Sequence, residues 1–136
     1  MKFYLAKTDP ETYSIQDLAR DHKTAWDGVR NPQALRAIRE MRPGDRVFIY
    51  HSMANAAVVG LAKVASEPRP DPRDAKLAVV DFEFLHKLDP PTTLHEIKES
   101  GLFPDWALVR QSRLSTMSAL PAFVEWMRGR YGKGKV

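Results

Sequence analysis

The chain has 136 residues, no cysteine and a formal net charge of +4, with 43% hydrophobic and 28% charged residues. This length suits one domain with a proper core, and the lack of cysteine excludes disulfides and thiolate metal sites, which fits the reducing cytoplasm expected as its location. No apolar run approaches the ~20 residues that span a bilayer, so no membrane association is expected, and the start MKFYLAKTDP has too short an apolar stretch for a secretory signal.

Phe3-Tyr4-Leu5-Ala6 is an apolar run ending at Lys7, expected as a buried first strand. Ser14 and Asp17 have capping-box spacing, and Ile15, Leu18 and Ala19 give a short helix its apolar stripe. A polar loop is expected from there to Trp26. Asn31-Pro32 opens a second helix: the Asn side chain caps free backbone N–H groups, and Pro suits the first helical position. Leu35 and Ile38 bury its inner face, while Arg36 and Glu40 are spaced to pair on the wet one. Pro43-Gly44-Asp45 reads as a turn.

Three stretches rich in β-branched and aromatic residues follow, Val47–Tyr50, Val58–Val64 and Leu77–Leu85; in the third, Val80, Phe82 and Phe84 share an apolar face. Pro68, Pro70 and Pro72 punctuate a loop before it. Thr93 with Glu96 forms a capping box for a short helix closed by Ser100-Gly101. A last helix from about Ala119 is expected to lay Leu120, Phe123, Val124 and Met127 over the core. The sum is an α/β (α+β) domain over residues 1–128, a barrel of mixed strands with short peripheral helices, followed by a basic Gly-rich tail at 129–136.

The most informative segment is Trp26-Asp27-Gly28-Val29-Arg30-Asn31, which puts an aromatic ring, a carboxylate, a guanidinium and an amide within six residues. Gly28 lets the backbone turn sharply, so a tight loop feeding a helix N-terminus presents stacking and hydrogen-bonding groups suited to a planar, polar ligand such as a nucleobase. Two roles compete for Trp26: a ring that stacks on a base, or a core tryptophan that plugs the barrel. Residues 128–136 hold four of the 21 basic residues and no acid, so the remaining chain carries 17 of each sign and is neutral. A polyanion would therefore be met by local clusters. One is Arg110 and Arg113, in a stretch from 106 to 124 without an acid, with Ser115 as a further donor to phosphate; another is Arg30, Arg36, Arg39, Arg42 and Arg46. The alternatives are a solvated tail and surface arginines paired with acids.

Lys7 and Thr8 end the first strand, where Lys7 is placed to pair with Asp27 or to donate to a phosphate or base oxygen. Tyr50-His51-Ser52 ends another. His51 and Ser52 point to opposite strand faces and form no nucleophilic pair; Ser52 is expected at a base edge and His51 as a structural or backbone contact. No catalytic residue is assigned. His22, His51, His86 and His95 lack metal-ligand spacing, Asp71-Pro72-Arg73-Asp74 lacks the alternating oxygens of a calcium loop, and no Gly-rich phosphate loop occurs, so neither metal nor cofactor is expected.

The hexapeptide, with Lys7-Thr8-Asp9-Pro10, Tyr13-Ser14-Ile15, Gly44-Asp45, Tyr50-His51-Ser52, Val59-Gly60-Leu61-Ala62 and Arg110–Ser115, resembles the EVE domain family, a branch of the PUA-like group that includes the YTH readers of methylated RNA. The likeness runs from about Lys2 to Met127. It implies a PUA-like pseudo-barrel and a DNA or RNA partner carrying a modified base, with the base held by Lys7, Thr8, Trp26, Asp27, Val29, Arg30, Asn31, Tyr50, His51 and Ser52. Where such chains read Lys-Ser-Glu-Pro, this one has Lys-Thr-Asp-Pro, keeping a hydroxyl and a carboxylate. Many also carry a tryptophan just before the strand that here follows Ala75-Lys76-Leu77, so a second wall of a base cage is either missing or supplied by Phe48, Tyr50 or Met53. Two other functions compete with a base reader: an enzyme on nucleic acid or a nucleotide-like molecule, with Asp27, Lys7 and His51 as acid–base groups, and a sensor of a small planar metabolite.

Overall fold

The computed structural model describes residues 1–136. Strand β1 (Phe3–Thr8) buries Tyr4, Leu5 and Ala6, and the Ser14/Asp17 capping box opens α1 (Ile15–Asp21). The expected polar loop before Trp26 is instead strand β2 (Lys23–Trp26), paired antiparallel with a strand nearly sixty residues away, Trp26 opposite Val80. Asn31 caps α2 (Pro32–Glu40), which buries Ala34, Leu35, Ala37 and Ile38. Its Arg36 and Glu40 form no ion pair; both are exposed, where such a pair gains little.

Strands β3 (Arg46–His51) and β4 (Ala57–Val64) follow. The proline-punctuated loop contains a short strand, β5 (Arg69–Asp71), which folds back on β6 (Asp74–Thr93). The expected strand at Leu77–Leu85 is only the middle of β6. The slip in the β4–β6 register between Val58 and Gly60 falls at Pro90 and Pro91, which have no N–H for a ladder. The Thr93/Glu96 box opens α3 (Leu94–Glu99), then come α4 (Ala107–Arg110), β7 (Thr116–Ser118) and α5 (Pro121–Tyr131). Helix α5 begins later than expected, with Leu120 half-buried at its N-cap, and runs beyond 128 to Tyr131, whose hydroxyl lies 2.7 Å from that of Thr92.

The seven-stranded sheet runs β2-β6-β4-β3-β1-β7, with β5 on β6 and only β1–β3 parallel. Its outer strands β2 and β7 are not joined, and α2 packs against both β7 and β6, which makes a pseudo-barrel rather than a closed ladder. Phe123 of α5 is fully buried among Phe48, Phe103, Trp106 and Trp126, at centroid distances of 4.5 to 5.9 Å. Gly60 of β4 admits α1: a Cβ there would stand 2.4 Å from Cδ1 of Ile15. No helix is long and apolar enough to cross a membrane.

Candidate functional site

The topology gathers the end of β1, the end of β2 and the loop into α2 around one open cleft of about 470 Å³. Lys7, Thr8, Trp26, Asp27, Val29 and Arg30 line it, joined by Ser115 from the approach to β7. Gly28 turns the loop at φ 76°, a left-handed conformation that suits glycine, and so swings Arg30 to the rim.

Trp26 is packed into the core and also borders the cleft. It is 8% exposed, with the Phe82 ring centre at 4.9 Å and that of Tyr13 at 6.3 Å, the latter ring nearly perpendicular at 81°. The remaining surface faces the cleft. Tyr13 is thus the second aromatic of the site. Phe48 is fully buried, while Tyr50 and Met53 face a separate cavity of about 160 Å³. Tyr13 directly precedes the N-cap Ser14, and its place beside Trp26 depends on a contact thirteen residues along the chain. Thr8 Oγ1 donates to the Tyr13 carbonyl (2.7 Å), the Tyr13 hydroxyl donates to Asp21 (2.8 Å), and burial pushes that phenol's pKa up.

Several expected site residues are engaged elsewhere. The Asn31 carboxamide oxygen accepts from the backbone N–H groups of Gln33 (2.8 Å) and Ala34 (3.1 Å); it builds α2 and does not line the cleft. Ser52 donates through N and Oγ to the Thr8 carbonyl and faces the smaller cavity with Tyr50. Lys7, which borders both spaces, donates Nζ to the Ser112 carbonyl (3.0 Å) and lies 5.5 Å from the Tyr50 ring centre; burial lowers its pKa. It does not pair with Asp27, whose Oδ2 accepts from Arg73 at 2.9 Å. Arg110 is held by Asp105 (2.7 Å) and the Pro104 carbonyl, since the acid sits one residue outside the stretch that looked uncompensated. Arg113 is exposed and forms no ion pair, as does Arg30.

His51, expected as a structural or backbone contact but also, from the resemblance, at the base, is turned to α1 and does not line the cleft: Nε2 accepts the backbone N–H of Ile15 (3.0 Å), one of the unpaired donors of the first turn of α1. The bond needs a neutral imidazole, and burial lowers the pKa below the ordinary ~6.5. Between that value and the lower folded one the unfolded chain binds more protons, so stability is intact above it and falls as the pH drops through the window. Melting temperature should therefore decline on acidification below about pH 6.5, and His51→Gln, which keeps an acceptor without a titration, should flatten that decline. Equal slopes would separate His51 from the acid response. With His51 turned to α1 and Asp27 tied to Arg73, the three groups of an acid–base reading are not brought together.

Comparison with known proteins adds the ancestry. The EVE domain model matches residues 2–128. This chain belongs to the EVE domain family. Rat thymocyte nuclear protein 1 is 32% identical over 124 residues, a match that takes in 71% of this chain and 55% of the rat protein, so the chain spans about half the length of that relative. The crystal structure of a protein from Agrobacterium tumefaciens superimposes with a TM-score of 0.91 at 29% identity, covering 99% of this chain and 97% of its own. The crystal structure of human THYN1 in complex with DNA containing 5-methylcytosine shares the fold, with a TM-score of 0.88 at 24% identity over 98% of this chain and 99% of that one.

Proposed function

We propose that this EVE domain is a non-catalytic nucleic-acid-binding module that takes an extruded, modified base into the Trp26 cleft. One observation carries the reading: an aromatic ring backed by Phe82 lines an open cleft beside a carboxylate and the unpaired Arg30. A cleft of about 470 Å³ is within the usual size for small-ligand sites. Stacking and edge contacts inside it offset the few kcal/mol lost on unstacking a base. The ring of Trp26 is largely covered, so an entering base displaces the edge of Tyr13 to stack on it. The DNA-bound human relative supports a polynucleotide ligand and makes a 5-methylcytosine strand the first probe; the RNA strand of the same sequence is the second.

Arg30 and Arg113 are the proposed phosphate contacts, in place of the Arg110–Arg113 pair. Phosphate contacts position a strand without reading it. Arg113→Ala should weaken all strands alike and reduce the slope of log affinity against log salt by about 0.7 to 0.9. Arg110→Ala should change it less, because Asp105 already neutralises that guanidinium. Titration of single strands at several salt concentrations checks both. Salt-independent binding, or equal affinity for a strand whose central base is removed, would remove polymer and base respectively from the reading.

A further inference from the structure

Two carboxylates line the cleft, Asp9 and Asp27. Asp9 turns back on its own loop, where Oδ1 accepts the Glu11 N–H at 2.9 Å. Asp27 directly follows Trp26, and its side chain is 51% exposed. Its Oδ2 is held by Arg73 at 2.9 Å, while Oδ1 takes no hydrogen bond from the protein. Arg73 in turn is fixed by the buried Asp71, whose Oδ1 accepts from the Arg73 backbone N–H at 2.8 Å and lies 3.5 Å from its Nε. The β5–β6 turn thus reaches across the chain to hold a cleft carboxylate by one oxygen and leave the other open. An ion pair this exposed adds little stability; what it supplies is orientation.

We propose that Asp27 reads an exocyclic amino group on the bound base, with Arg73 as the positioning residue that keeps its carboxylate at the cleft. This rests on the base-binding reading above. An ionised carboxylate only accepts hydrogen bonds. It matches the amino edge of cytosine and repels the keto oxygen that thymine and uracil carry at the same place. The neighbouring donors, Lys7 and Arg30, remain for phosphate or ring oxygens.

The test uses four single strands identical except for a central cytosine, 5-methylcytosine, uracil or thymine, which vary the amino group and the methyl group independently. The wild-type protein should bind each amino-bearing strand about tenfold to a hundredfold more tightly than its keto partner, the range of a hydrogen bond to a charged group. Asp27→Asn, whose amide both donates and accepts, should bring each ratio close to one while leaving the salt dependence unchanged. Arg73→Ala should lower the ratio part-way; an unchanged ratio would end its positioning role. Equal wild-type binding of amino and keto strands that still exceeds binding of the abasic strand and still falls in Trp26→Leu overturns the Asp27 assignment alone. Binding equal for all strands, abasic included, and indifferent to Trp26→Leu overturns the base-binding reading itself.

Discussion

Phe123→Ala should lower the unfolding free energy by about 3–5 kcal/mol, a large share of the ~5–15 kcal/mol typical of a domain. Phe123 is fully buried and touches four other aromatic rings, from β3, α5 and the segment before α4. The cavity left behind would be lined by large, shape-fixed rings that cannot collapse into it. Leu120→Ala should cost clearly less, because Leu120 is only half-buried at the N-cap of α5. Urea unfolding of both variants checks the order. Equal, small losses would mean that α5 only rests on the barrel.

Replacing Trp26 separates packing from binding. Trp26→Ala removes the contact with Phe82 and should cost about 3–5 kcal/mol of stability. Trp26→Leu keeps apolar bulk on Phe82 but offers no flat face. It should melt closer to wild type while losing the stacking contribution of ~1–3 kcal/mol, roughly 5- to 150-fold in affinity. Melting and binding measured on the same samples distinguish the two effects. A leucine variant that binds its best strand normally would make Trp26 a packing residue only.

The parts of this protein that were legible in the sequence are those fixed by neighbours in the chain. Ser14 with Asp17, Asn31 before Pro32, and Thr93 with Glu96 each cap the helix their spacing announces, since all partners lie within three residues. Strand β2 was hidden because Lys23 and Ala25 are exposed and its pairing partner lies far along the chain. Strand β5 was hidden by Pro70 within it and by Pro68 and Pro72 on either side, which an outlying strand tolerates. Lys7, Thr8 and the segment from Trp26 to Arg30, named together from the sequence, line one cleft, whereas Asn31 is spent on capping α2. Tyr13 and Arg73 were not named as site residues because their placement depends on distant contacts, Tyr13 against Trp26 and Arg73 across to Asp27. The same blindness assigned Tyr50 and Ser52 to the cleft: β1 runs between the two cavities, with Lys7 the side chain they share.

The central claim is that a base enters the cleft between Trp26 and Tyr13. Titrating the isotope-labelled 15.5 kDa protein with the 5-methylcytosine strand, and following each amide and indole N–H by nuclear magnetic resonance, tests it most directly. The account predicts that the largest changes fall on the Trp26 indole and on the backbone of Thr8, Tyr13, Gly28 and Arg30, and that they vanish with an abasic strand. Changes centred instead on Tyr50, Met53 and Lys98, or unaltered by removal of the base, would contradict it.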